Sequence, residues 1–393
     1  MFLPLGDEPN PRGVPWITYG LIATNVVVYL FLSLPLSGVQ ADPTNPVLVN
    51  YVRALLDAIP QDVSPGELVG QITAYDLVVF NHGFRPVAPA PAALLTSMFL
   101  HAGFMHLAGN MLFLWIYGDN VEHRLGRVRF LAAYLATGVA ATLVHALFSL
   151  NSALPVVGAS GAISGVLGFY FLWFPHNRVR VWVFLFPFIM TVISLRARLV
   201  LGIYLFIDNV VPFLFTQGSG GGGVAYGAHI GGFVAGLGWA WWAGQRAVTA
   251  APREYRRASV APTASTPSSI AELVVERRFA DAAPAYFGLR SDQTRRILSP
   301  GASISFGDWL ARNEHPKAAL VVYQRHLRDY PIGPMAAEAH LGAGLVQLQA
   351  LGQAAPAYQH LVEVLDHDPS SETRAVARQA LDEIASRQKF RVH

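Results

Sequence analysis

The sequence contains no cysteine. Disulfides, thiolate catalysis and cysteine-based zinc sites are therefore excluded. Charge is scarce as well, at 13% of residues, against roughly 25% in soluble globular proteins. Lysine is nearly missing: two lysines stand against 26 arginines, a bias that points to a GC-rich bacterial genome. The opening Met1-Phe2-Leu3-Pro4-Leu5-Gly6-Asp7-Glu8 has neither a basic n-region nor a small-residue cleavage site, so no removable signal peptide is expected.

What remains is apolar and unevenly charged. Hydrophobic residues make up 53% of the 393. Residues 1–249 carry 21 charged side chains and residues 250–393 carry 32. The first part reads as membrane-embedded and the second as soluble. Most arginines of the first part lie between apolar runs, so the pI of 9.1 is a topology signal and calls for no nucleic-acid partner.

The predicted fold is an all-α membrane protein, a six-transmembrane-helix bundle followed by a soluble helical domain. Residues 1–15, with four prolines, are expected to be an irregular cytosolic lead-in. A six-span domain is predicted over 16–247. Its spans are 16–37, 96–120, 129–150, 158–175, 199–215 and 225–245, since about 20 apolar residues cross a bilayer. Residues 38–95 form a long loop with short amphipathic helices near Leu48–Ile59 and Pro65–Phe80. Residues 181–195 are apolar but short, which favours an interfacial or re-entrant segment. Arginines cluster after spans two, four and six, which puts both termini in the cytosol, with the bacterial inner membrane the expected location. Ser160 and His229 then start inward-running helices at similar depth on the non-cytosolic side.

Residues 248–268, rich in Ala, Pro, Ser, Thr and Arg, read as a linker, and 269–393 as a cytosolic helical domain. Ala-Ala-Pro-Ala-Tyr occurs at 282–286 and again at 354–358. Tyr286, Tyr323 and Tyr358 are 37 and 35 residues apart, near the roughly 34-residue period of helix–turn–helix repeats. This resembles a short tetratricopeptide stack able to bind a protein partner; an ordinary helical bundle fits equally well.

Ser160 lies in Gly158-Ala159-Ser160-Gly161, at the start of an apolar run. A serine in a membrane helix is more often a packing residue than a nucleophile. The flanking glycines and the helix N-terminus, with its free N–H groups, favour chemistry. His229 reads as a base or as a buried interhelical histidine. Gly161 and Gly165 on one run, and Gly232 and Gly236 on the other, form small-residue faces that let two helices approach closely. His106 and Asn110 share a face at i, i+4, as oxyanion donors or as interhelical contacts. His101 reads as a packing residue and Asp208 as a structural or hydration residue. The Gly-rich run 218–223 is a flexible connector or a mobile cap. No HExxH-type pair is present, and no metal or cofactor is expected.

Taken together, His106-xxx-Asn110, Gly158-Ala159-Ser160-Gly161, Ala228-His229-xx-Gly232-xxx-Gly236 and the stretch Gly118–Gly126 resemble the rhomboid family of intramembrane serine proteases over roughly residues 1–247. The resemblance implies a Ser160–His229 dyad that cleaves transmembrane protein substrates in or near their span. His106, Asn110 and the Ser160 N–H would hold the oxyanion. Ser164 departs from members with an aromatic four residues after the nucleophile, which leaves support of the histidine to another residue, with Tyr226 the candidate. A catalytically silent membrane scaffold or quality-control binder of the same fold is the alternative, as is a transporter using Asp208 and the histidines.

Overall fold

The computed structural model describes residues 2–11, 13–58, 64–185, 189–216, 224–249, 252, 255, 267–289, 293–333 and 335–386. Two compact units are present. The first comprises Met1–Asp7, Gly13–Trp173 and Val179–Ala240, and the second Glu8–Arg12, Phe174–Arg178 and Trp241–His393. The expected linker, 248–268, and the Gly-rich run 218–223 lie mostly or wholly outside the described residues.

In the first unit, α1 (Trp16–Ser37) is followed by the short helices α2 (Pro46–Ala58), α3 (Pro65–Gln71) and α4 (Ala74–His82). The short helices bury Ala41, Leu48, Ile72 and Leu77 together. Thr73 opens α4 with a reciprocal cap: its hydroxyl accepts from the Asp76 N–H, and the Asp76 carboxylate accepts from the Thr73 N–H. The expected second span is broken. α5 (Ala93–Phe99) and α6 (Phe104–Leu125) meet at 95°. Leu100 is extended and Gly103 lies outside helical space, so the chain turns sharply just before His106. α7 (Arg127–Leu147), α8 (Ser160–Trp173), α9 (Ala197–Phe215) and α10 (Tyr226–Thr249) follow.

α1, α7 and α9 are long and apolar enough to cross a membrane, and α5–α6 makes a fourth if the bent pair is one crossing. α8 is only 14 residues long, and every residue from Gly161 to Tyr170 is buried. A helix apolar on all sides belongs inside a bundle, and α8 packs against both α6 and α7. By contrast α1 and α9 expose Phe31, Leu34, Phe206 and Phe215, as lipid-facing helices do.

Two expectations are corrected here. The chain is not all-α: β1 (Phe2–Glu8), β2 (Arg178–Leu185) and β3 (Ile189–Arg196) form a sheet in the order β1-β2-β3. The lead-in is therefore largely a strand, and so are the described residues of 181–195, the stretch expected to be interfacial or re-entrant. The reason is visible in Arg-Val-Arg-Val-Trp-Val: Val179, Val181 and Val183 are buried, whereas the residues between them are not. That is the period of two of a half-buried strand.

Residues from the stretch Gly118–Gly126 tie helix ends together. Glu122 accepts hydrogen bonds from the Ile17 and Thr18 N–H groups, at 3.0 and 2.8 Å, and from the Thr18 hydroxyl at 2.8 Å. A carboxylate thus meets the orphan donors and positive end of α1. Arg124 donates to the Trp173 carbonyl at 3.3 Å and lies over the Trp173 ring, meeting the C-terminal end of α8.

The second unit contains α11 (Pro267–Val275), α12 (Phe279–Gly288), α13 (Pro300–Arg312), α14 (Pro316–Asp329), α15 (Ala336–Leu345), α16 (Ala354–Asp366) and α17 (Ser371–Ser386). Each packs mainly on its neighbours in sequence. Tyr286, Tyr323 and Tyr358 fall on α12, α14 and α16, the second helix of each successive pair. Tyr323 is buried between Gly307 and Gly342, where any added Cβ would meet its ring.

Candidate active site

Ser160 is the first residue of α8, and the backbone before it is shaped by Gly158. Gly158 has φ +121°, a region L side chains rarely adopt, and a Cβ there would sit 2.8 Å from the His106 ring. The Gly158 N–H donates to the Ser97 carbonyl at 2.8 Å, which anchors the turn to the end of α5. His229 lies in the first turn of α10. Its Nε2 is 2.8 Å from Ser160 Oγ.

The approach of α8 and α10 depends on glycine. A Cβ on Gly232 would overlap the Gly161 carbonyl oxygen, and one on Gly236 the Gly165 carbonyl oxygen. Gly161 and Gly165 also face α7: added Cβ atoms would collide with Ala141 and Thr137. These four glycines therefore hold α8 in backbone contact with α10 and close against α7.

His229 has a second partner that the sequence reading missed. Nδ1 is 2.6 Å from Asn209 Oδ1, and Asn209 Nδ2 donates to the Tyr204 carbonyl at 2.8 Å. A carbonyl oxygen only accepts, so the amide group of Asn209 must face Tyr204 and its oxygen must face the histidine. An amide oxygen in turn only accepts, so Nδ1 carries the proton in the neutral ring. Nε2 is then the free base facing the serine hydroxyl. Asn209 is 1% exposed. It lies in a π-helical turn, Phe206–Val210, within α9. No hydrogen bond or ring contact joins Tyr226 to His229 among the described residues; Asn209 holds the nitrogen turned away from the serine. Asp208, next to it, points outward and is exposed.

His106 and Asn110 are brought to the same place by α6. The His106 ring lies against Gly158, and Asn110 is buried with no hydrogen-bond acceptor for its Nδ2 among the described residues. A buried amide without an acceptor is costly, which makes it a ready donor for an incoming oxygen. His101 is 1% exposed, its backbone N–H and carbonyl both bonded to the Tyr75 hydroxyl, and its ring meets that of His106 edge-on. Beside Ser160 is a recess lined by Met98, Gly138, Thr142, Val156 and Ala228. Its walls are mostly small or short side chains.

Comparison with known proteins finds relatives of the part of the chain that carries these residues. The Rhomboid domain family model matches residues 90–246. The chain is 35% identical over 99 residues to Rhomboid protein 1, mitochondrial, of Saccharomyces cerevisiae, covering 24% of this chain and 29% of that protein. It is 48% identical over 75 residues to Rhomboid protease GluP of Bacillus subtilis, covering 19% and 14%. It is 40% identical over 96 residues to Rhomboid-like protein 11, chloroplastic, of Arabidopsis thaliana, covering 24% and 32%. The chain spans less than a third of the length of each of these relatives. With several helices apolar enough to cross a bilayer and a match to the rhomboid domain over residues 90–246, the chain is a membrane protein that carries a rhomboid domain.

Proposed function

We propose that the chain is an intramembrane serine endopeptidase that cleaves transmembrane proteins in or near their span. The observation that carries this reading is the 2.8 Å contact of Ser160 Oγ with His229 Nε2, with the far side of the ring held by Asn209. His229 takes the serine proton as Oγ attacks the scissile carbonyl, then gives it to the leaving amine. Asn110 Nδ2, His106 and the Ser160 N–H at the start of α8 donate to the oxyanion. The recess beside Ser160 suits a small side chain at the cut. Water then hydrolyses the acyl-enzyme, with His229 as base.

The six apolar segments, with α5–α6 counted as one, act as six crossings that carry both termini in the cytosol of a bacterial inner membrane. The arginine distribution supports that orientation. The helices of 269–393 act as a tetratricopeptide-like domain for a protein partner, and the tyrosine spacing supports it. No cofactor enters this scheme.

The test is cleavage of a panel of tagged single-span substrates by purified protein in liposomes, beside Ser160→Ala and His229→Ala. Cleavage by wild type with a loss of at least about 10⁴-fold in each variant is expected. Equal cleavage by all three would overturn the assignment. No cleavage, together with no labelling of Ser160 by a serine-directed probe, would favour the silent scaffold.

A further inference from the structure

The second unit holds a cluster that the proposed chemistry does not use. His360, Glu363 and His367 lie at i, i+3 and i+7 along and just beyond α16, so they share one face. His340, on α15, faces them. One ligand-type atom each from His340, Glu363 and His367 lies within 4.8 Å of the others. His176, from the Phe174–Arg178 segment of the same unit, places Nε2 2.8 Å from Glu363 Oε1. His340 and His360 meet Nδ1 to Nδ1 at 3.0 Å, so one ring donates and the other accepts. The His340 and His367 rings stack at 5.2 Å.

We infer that His340, Glu363 and His367 form a binding site for a divalent transition cation of the zinc type, with His176 and His360 orienting the ligands. Two imidazoles and one carboxylate are a donor set that suits Zn²⁺ and leaves a fourth position open. The three side chains are half-buried, deep enough to be ordered and open enough to admit an ion. His176 and His367 both reach the one Glu363 carboxylate, with Nε2 atoms at 2.8 and 3.8 Å from its oxygens. Outer residues that hold a ligand in place are worth about 10- to 100-fold in metal affinity, and the His176–Glu363 and His340–His360 contacts have that form. The sequence reading looked for closely spaced metal motifs and expected none. The ligands here come from two helices, 27 residues apart at the widest.

The test uses full-length, tag-free protein in detergent, stripped with a chelator and titrated with Zn²⁺ by calorimetry. One tight equivalent is expected, with Mg²⁺ binding far more weakly. His340→Ala and His367→Ala are expected to weaken that equivalent by at least about tenfold, and His176→Gln by about tenfold. Glu363→Gln keeps the side-chain shape and serves if an alanine variant fails to fold. Its thermal transition is expected to lose the upward shift that Zn²⁺ gives wild type. Co²⁺ substitution is expected to give visible d–d absorption in wild type and none in Glu363→Gln. Absence of a stoichiometric Zn²⁺ equivalent in wild type would overturn the site, as would unchanged binding in folded His340→Ala, His367→Ala and Glu363→Gln proteins. None of these readouts depends on proteolysis, so the site stands or falls apart from the proposed enzyme.

Discussion

The two units solve helix packing in opposite ways. In the first, α8 and α10 meet where glycines lie against carbonyl oxygens, at Gly232 on Gly161 and Gly236 on Gly165. In the second, side chains meet side chains: Phe279, Phe306, Phe287 and Tyr286 stack into one cluster, and Tyr323 fills the notch between Gly307 and Gly342. Solvent explains the difference. Lipid tails are as apolar as leucine, so burying a large side chain between membrane helices gains little, and close backbone approach with paired polar groups takes over. In water the same burial contributes about 25 cal/mol per Å². The first unit thus spends its few polar groups on helix ends and on the site, through Glu122, Arg124, Asn209 and Asn110.

If that contrast is right, Gly232→Val has the largest effect. Its Cβ overlaps a backbone oxygen that has no room to retreat. Overpacking is expected to cost about 1–3 kcal/mol, and the shifted His229 to lower substrate cleavage at least about 100-fold. Thermal unfolding in detergent and a cleavage assay read the two effects. Unchanged activity would show that α8 and α10 do not need backbone contact.

Gly342→Val probes the other unit. It presses on the Tyr323 ring and is expected to lower stability by about 1–3 kcal/mol. Labelling of Ser160 by a serine-directed probe is expected to stay as in wild type. A loss of labelling would show that the two packing schemes are coupled.

Asn209→Ala removes the bond to His229 Nδ1 together with the one to the Tyr204 carbonyl. Cleavage is expected to fall about 10- to 100-fold, the range for a lost buried hydrogen bond, in kcat with KM nearly constant. A change in KM alone would assign Asn209 to substrate binding instead. The smallest effect is expected for Glu122→Gln, which keeps one acceptor oxygen at the N-terminus of α1 but puts a donor in place of the other and removes the charge. About 1–2 kcal/mol of stability is expected to go, with cleavage unaffected.

The parts of the site that could be read in the sequence are those written as local motifs. Glycines flank Ser160, Gly232 and Gly236 follow His229 on one helical face, and His106 and Asn110 share another. Helix positions followed from apolar run length, and their observed ends lie within a few residues of the expected ones for α1, α7, α8, α9 and α10. Asn209 was not legible. One amide in an apolar helix is ordinary, and helical spacing drawn at 3.6 residues per turn misplaces it, because the turn that carries it is wider. The sheet escaped for another reason. An apolar count treats Val179, Val181 and Val183 as membrane content, whereas their alternation with Arg180 and Trp182 is a strand signal. The break before α6 has no marker stronger than Gly103, a residue common in membrane helices.

The wide turn at Phe206–Val210 makes α9 unusually sensitive to length. Asn209 donates to the carbonyl five residues back, at Tyr204, a reach that belongs to a π turn. Removing a single apolar residue such as Ile207 would let the segment close into a regular α-helix. Hydropathy and helix propensity would hardly change, and the flanking turns would keep their phase, yet Asn209 would lose the five-residue reach that aims its oxygen at His229. Natural variation in this segment is therefore expected to consist of exchanges between apolar residues, with insertions and deletions excluded, even though no reacting atom lies there.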